Sequence, residues 1–370
     1  MRSNRIWSEN MPESTSKVYF VPLPDGAGVH QQVEGVRQAY EAVGGGNVVK
    51  AGDFAAVKVH VGEKGGTTHA HPELTKEIVR LIKKEGAEPF LTETSTLYKG
   101  ERMNGVKHLL HAHFQGFSVE RVGAPFVMAD GLLGNTDDRV EIHGELNEAV
   151  YIAKEILLAD ALVVMSHATG HIGTGLGACI KNLGMGLASR RGKLRQHSSL
   201  QPHVKENLCQ LCGKCMEWCP QGAIVERNGK AFILVEQCIG CGECLTVCKF
   251  DAIPFNWDVG SMTIQKNMAE YALGVLVNKK EKAVFFNILV NMTKDCDCLN
   301  RKQQKIMPDV GIIASVDPVA VDKATLDITV GPNKENLATL SYPGIDPMIQ
   351  LRHAEKIGLG RLAYEMIRVG

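Results

Sequence analysis

The chain has 370 residues, 44% of them hydrophobic and 22% charged, which supplies ample apolar material for a core and excludes global disorder. Its 41 Lys and Arg balance 41 Asp and Glu, so there is no broad positive field for nucleic acid or an anionic membrane. The polar start as far as Lys17 lacks the apolar centre of a secretory signal, and the most apolar stretch, Ile156 to Met165, is broken by Asp160 and reaches about half a membrane span. The expectation is a cytoplasmic protein with a flexible leader over residues 1–16 and no partner among membranes or nucleic acids. Its oligomeric state stays open.

Val18 to Val21 predicts a short strand, and Val29 to Val43 a helix ended by Gly44-Gly45-Gly46. Phe54 to Val61 is a β-branched, apolar strand. Pro72 stands where a first helical residue belongs, Leu74, Ile78, Leu81 and Ile82 follow at helical spacing, and Gly86 stops the helix before a second strand at Pro89 to Leu91. A second unit is predicted from a helical stripe of Leu146, Val150, Ala153 and Leu157 ahead of a strand at Ala161 to Met165. After a cysteine-rich region come a helix near Met262 to Val277, strands at Ala283 to Val290 and Val310 to Ala314, and two Asp-Pro helix starts, Asp317-Pro318 and Asp346-Pro347. Such alternation implies an α/β fold, a layered parallel or mixed sheet covered on both faces. The simplest organisation is one α/β core, residues 17–199 and 258–370, interrupted by an α+β insert at 200–257.

The insert carries the strongest chemical signal. Cys209, Cys212, Cys215 and Cys219-Pro220 form C-x2-C-x2-C-x3-C-P, and Cys238, Cys241, Cys244 and Cys248 repeat the spacing without the proline. Three closely spaced thiolates wrap one face of an iron–sulfur cubane, and in the bacterial two-cluster pattern the fourth ligand comes from the other run. Cluster one would use Cys209, Cys212, Cys215 and Cys248; cluster two would use Cys238, Cys241, Cys244 and Cys219. Zinc would leave the third cysteine of each run unexplained. The segment resembles a bacterial two-[4Fe-4S] ferredoxin domain. Residues 203–257 hold five Lys or Arg against six Asp or Glu, so steering toward a basic partner is weak, which favours clusters that serve their own chain.

Three cysteines remain. Cys296 and Cys298 lie in Asp295-Cys296-Asp297-Cys298, after a predicted strand, where they read either as partly buried thiols with solvated carboxylates or as a metal, cofactor or redox-thiol site. Cys179 lies in the run Ser166 to Gly186, just past the carboxyl end of another strand, where open α/β sheets bind ligands. Gly170, Gly173, Gly175 and Gly177 would let backbone approach a ligand, with His167, His171, Lys181 and Cys179 as candidate catalytic groups. No dinucleotide or phosphate-loop glycine motif occurs. The basic run Arg190, Arg191, Lys193 and Arg195 is either a solvated hinge or an attractor for anions, and His69 and His71 are either capping or cleft residues.

His71-Pro72, Ser166-His167, the Gly-Ala-Cys-Ile-Lys-Asn-Leu-Gly-Met-Gly run, the double-cubane insert, Asp-Cys-Asp-Cys and the stretch from Asp309 to Asp322 together resemble the iron–sulfur centre proteins built on domain of unknown function 362. That resemblance, over roughly residues 17–370, implies an α/β core with an inserted ferredoxin, mostly in anaerobic prokaryotes, and no established reaction. A shorter similarity, in a histidine, glycine and lysine arrangement, is to nickel-pincer racemases of the lactate type. Two functions are expected to compete, beside a third reading in which the clusters merely hold the insert together. In one, the two [4Fe-4S] clusters relay electrons to a site in the α/β core, an oxidoreductase with a small-molecule substrate and room for an additional metal or organic cofactor. In the other, the chain is a non-catalytic electron-transfer or accessory protein that supplies electrons to a redox partner enzyme or a bound cofactor.

Overall fold

The computed structural model describes residues 15–197, 202–238, 242–254, 260–279, 281–331 and 333–370. The leader up to residue 14 and Cys241 lie outside the described residues. Eight strands form the central sheet: β1 Ser16–Pro22, β2 Phe54–Lys58, β3 Glu88–Glu93, β4 Phe126–Met128, β5 Ala161–His167, β6 Ala283–Leu289, β7 Gly311–Ser315 and β8 Tyr364–Arg368. Their spatial order is β8-β1-β7-β6-β5-β2-β3-β4. Only β7 runs against its neighbours; β6, β5, β2, β3 and β4 are parallel throughout. This is the mixed, parallel-dominated α/β class that the alternation of elements implied.

Strand β5 shows why the sheet sits inside. Leu162 and Val164 belong to the apolar cluster on one face, while Ala161, Val163 and Met165 belong to the cluster on the other. Period-two alternation with apolar residues on both sides needs two covering layers. Helices Val29–Ala42 and Pro72–Lys84 contribute Val36, Tyr40, Ile78 and Ile82 to one layer. Helices Ser261–Leu276 and Pro318–Ile328 contribute Tyr271, Ala272, Val321 and Ala324 to the other. The helix starts follow local chemistry: Asp317 accepts from the amides of Val319 and Ala320, and His71 Nδ1 accepts from Glu73 N, so His71 is a cap.

One predicted helix is a strand. Ala149–Ala153 pairs antiparallel with Asp137–Glu141, and only Lys154–Leu158 turns helically. The β-branched and aromatic run Val150-Tyr151-Ile152 favours the pleated form, and Leu146, counted in the stripe, is exposed. Strand β2 also ends earlier than the apolar run, at Lys58, whose side chain turns inward.

In the cysteine-rich region Ile224–Arg227 and Lys230–Ile233 form a two-stranded ribbon, with short helices Lys214–Glu217 and Glu243–Val247. Gly213 and Gly242, each one residue past a second cysteine, both take positive φ, 77° and 78°, so the same turn is used twice. Among the described residues, no helix is long and apolar enough to cross a membrane.

Candidate functional site

The carboxyl ends of β2, β3, β5 and the segment after β6 converge on a cavity of about 110 Å³, the position that open parallel sheets reserve for ligands. Gly170 makes the convergence possible. Its amide donates to the Thr293 carbonyl at 2.8 Å, and a Cβ there would stand 2.2 Å from the Lys294 carbonyl oxygen. Ser166, His167, Thr169, Gly177 and Lys181 therefore share the cavity with Cys296, Asp297 and Cys298. An outer cleft of about 770 Å³ adds His171, Gly173 and Asp295, and Lys181, Cys296 and Cys298 line both spaces.

The thiols sit in a turn rather than an extended segment, with Leu299 N donating to Cys296 O. The neighbouring Cys298 sulfur and burial push the Cys296 thiol well up. Cys296, Lys181 and His60 hold Cys298 well below an ordinary thiol, against burial. Geometry supports this asymmetry. His60 Nδ1 accepts from Gly62 N at 3.0 Å, and its Nε2 stands 3.3 Å from Cys298 Sγ and 3.2 Å from Arg102 Nη1. Lys181 Nζ points to the same sulfur at 3.8 Å. Burial would lower Lys181, yet the sulfurs of Cys296 and Cys298 keep it raised.

His167 has a different position from a free base. Nε2 donates to the Val290 carbonyl at 2.8 Å and Nδ1 meets Asp297 Oδ2 at 2.7 Å. Both nitrogens face acceptors, so the buried ring is an imidazolium with no free lone pair; burial opposes that charge and Asp297 sustains it. Asp297 also accepts from Thr68 Oγ1 at 2.7 Å. Asp295 is tied to Tyr342 and Arg301. The two carboxylates thus anchor the turn that carries the thiols. His171 Nδ1 accepts from Gly173 N at 3.2 Å, and burial and Lys181 hold the ring well below the usual histidine range.

Cys179 and Gly175 line neither space. Cys179 is fully buried in the apolar cluster, with its thiol pushed well up by burial and by Asp322, which accepts from Cys179 N and Ile180 N at 2.8 Å. It is a helix-start residue without access to a ligand. Gly175, at φ 71°, packs against Ile345 and Pro347.

Glu93 and Arg102, charged groups that motif reasoning passed over, line the cavity together with Lys193, with Lys58 behind them. Lys58 Nζ is fully buried and donates to Asn182 Oδ1 at 2.7 Å and Glu93 Oε1 at 3.3 Å. Burial would raise Glu93, but Lys58, His60 and His108 hold it well below the usual carboxylate range. Arg102 donates to Tyr98 Oη at 2.5 Å and Glu63 Oε2 at 3.3 Å. Lys193, from the basic run, is buried and donates to Ser95 O at 2.6 Å; Arg190 is buried too. The usable signal was a polar residue at the carboxyl end of an apolar strand, as in Val57-Lys58-Val59-His60 and Leu91-Thr92-Glu93.

Two smaller cavities, each about 20 Å³, lie in the cysteine-rich region. Cys209, Cys212, Cys215 and Cys248 line one; Cys219, Cys238 and Cys244 line the other. The soft donors converge, and backbone amides point at sulfur, Ala223 N to Cys219 at 3.2 Å and Ala231 N to Cys209 at 3.4 Å. That donor set fits iron–sulfur clusters. The region packs on the core through helix Arg190–His197. Gly242 passes so close to Leu194 that a Cβ would lie 2.6 Å from its Cδ2, Asn135 Nδ2 donates to Glu243 at 3.1 Å, and Leu97 and Leu194 share one apolar cluster with Cys209, Cys244 and Leu245.

Fold and site define a cysteine-rich α/β protein with a ferredoxin-like segment beside a thiol-bearing cleft. The family model described as "Domain of unknown function (DUF362)" matches residues 55–327, and the chain belongs to this family. Short stretches are similar to iron–sulfur proteins. The formate dehydrogenase-O iron-sulfur subunit of Escherichia coli (strain K12) is 36% identical over 66 residues, 17% of this chain and 22% of that protein, so the chain spans only that minor share of its length. An uncharacterized ferredoxin of Methanocaldococcus jannaschii is 42% identical over 48 residues, 12% of this chain and 29% of that protein. Pyruvate synthase subunit PorD of Methanothermobacter marburgensis is 31% identical over 78 residues, 21% of this chain and 89% of that protein. Among solved structures, the lactate racemase apoprotein from Thermoanaerobacterium thermosaccharolyticum aligns over 87% of this chain and 60% of its own, with 12% identity and a TM-score of 0.39.

Proposed function

We propose that this is an iron–sulfur redox protein whose inserted ferredoxin-like domain, about residues 200–257, serves a ligand or cofactor site in the α/β core of residues 17–199 and 258–370. Cys209, Cys212, Cys215 and Cys248 would hold one [4Fe-4S] cluster, and Cys238, Cys241, Cys244 and Cys219 the other, supplying single electrons. The observation that carries the reading is Leu97, which lines the inner cavity and also packs in the apolar cluster with Cys209 and Cys244. The chain's own part is to hold that junction dry. Helix Arg190–His197 presents Leu194 to the cysteine-rich side and Lys193 and His197 to the cavity. Lys181 and Arg102 keep a positive environment around the sulfur of Cys298, suited to an electron-accepting or anionic ligand. Cys212 is exposed, which favours entry of electrons there from a redox partner protein and keeps the accessory reading alive. Protein purified without oxygen should contain about eight irons and about eight acid-labile sulfides per chain. About four irons, or zinc in their place, overturns the proposal.

A further inference from the structure

We infer that Cys296 and Cys298 form a two-electron dithiol/disulfide couple at the boundary between the inner cavity and the outer cleft. The inference rests on the proposed function for its reductant, the pair of one-electron clusters, and adds what the cavity does with those electrons.

Three observations carry it. First, the two cysteines stand in one turn with a single residue between them, Leu299 N donating to Cys296 O at 3.3 Å, and both line the inner cavity and the outer cleft. Asp297 between them is pinned by His167 and Thr68, and Asp295 before them by Tyr342 and Arg301, so the turn holds both thiols on the cavity side. Second, the pair is built asymmetrically: His60 Nε2 at 3.3 Å and the Lys181 ammonium at 3.8 Å both meet Cys298 Sγ, which is held well below an ordinary thiol, whereas Cys296 is pushed well up. A thiolate beside a protonated thiol is the arrangement that thiol–disulfide exchange needs. Third, a preformed metal site is not what these donors make. Among the described residues, three metal-type donor atoms lie within 4.8 Å of one another only at exposed Glu141, His143 and Glu148, so His60, Cys296 and Cys298 do not present three atoms to one point.

The chemistry balances as follows. The Cys298 thiolate attacks one sulfur of a disulfide substrate entering by the outer cleft; its S–S bond breaks, the mixed disulfide forms and one thiolate leaves. Cys296 loses its proton to that leaving group and attacks Cys298, closing the Cys296–Cys298 bond and expelling the second thiolate, which takes a proton from solvent. The substrate has gained two electrons and two protons. Two electrons from the clusters, delivered singly, and one proton then restore the Cys296 thiol and the Cys298 thiolate. Cys179 cannot substitute for either partner, since it is sealed in the core.

Trypsin cleaves after Lys294 and Arg301, so one peptide, residues 295–301, reports both cysteines. Anaerobic protein poised at graded dithiol potentials, quenched with iodoacetamide, denatured and digested should convert this peptide from doubly alkylated to an unalkylated internal disulfide, with the slope of a two-electron couple. Cys298→Ser should leave Cys296 alkylated at every potential. Iron is measured on the same samples. Full iron with residues 295–301 doubly alkylated throughout, or a transition that survives in Cys298→Ser, overturns the inference and spares the cluster reading. A two-electron transition in protein that lacks iron upholds the couple and removes the clusters as its source.

Discussion

The buried His167–Asp297 pair should be one of the larger single contributors to the stability of the cleft, and Asp297→Asn tests this directly. The substitution preserves size and leaves an acceptor for Thr68, but removes the charge facing His167 Nδ1 at 2.7 Å. Both side chains are almost inaccessible, 2% and 6% exposed, so solvent cannot replace the lost partner. Breaking a buried pair from one side costs about 3–5 kcal/mol, whereas an exposed pair is worth about 0–1 kcal/mol. The sign with pH follows from the two shifts. His167 lies above its ordinary 6.5, so its contribution is complete below that value and is lost as pH rises through the folded value. Asp297 lies below its ordinary 3.8, so its contribution is complete above that value and is lost as pH falls through the folded one. The gap between wild type and Asp297→Asn should be widest between 3.8 and 6.5 and narrow toward alkaline pH. Guanidinium unfolding under argon, followed by far-ultraviolet circular dichroism from pH 6 upward, reads this as a shift of midpoint at constant slope. A cost below about 1 kcal/mol, or a gap that widens with alkalinity, would refute the reasoning.

Cys219→Ser and Cys248→Ser should each remove about four irons, with the first leaving Cys209, Cys212 and Cys215 shielded from alkylation and the second leaving Cys238, Cys241 and Cys244 shielded; the opposite protection pattern would reverse the ligand exchange. Lys181→Met should raise the pH midpoint of Cys298 alkylation by about 1, with Lys181→Arg retaining most of the wild-type value; an unchanged midpoint would mean that the ammonium does not sustain the thiolate. Gly170→Ala, whose Cβ meets backbone at Lys294 and the side chain of Ser341, should cost about 1–3 kcal/mol and speed alkylation of Cys296 and Cys298, checked by thermal unfolding and by mass spectrometry of residues 295–301.

The meeting of Ser166–Lys181 with Asp295–Cys298 was legible because each follows the carboxyl end of an apolar strand, and β5 and β6 proved to be neighbours. Asp317-Pro318 and Pro72 placed helix starts because capping chemistry is local. Cys179 was misplaced because the run of glycines around it hides a helix start: its amide is held by Asp322, 143 residues away. The helix expected around Val150 failed because a spacing of three and four residues also suits a short buried strand. Lys58, Glu93, Arg102 and His108 escaped notice because each comes from a different element, and only the fold joins them into one network.

The central claim is that electrons held by the cysteine-rich domain reach the thiols of the cleft, and an anaerobic coulometric titration of oxidised protein measures it most directly. With one electron for each cluster and two for the dithiol, wild type should take up about four electrons per chain and Cys298→Ser about two. Equal uptake by the two proteins, at full iron content, would contradict the account.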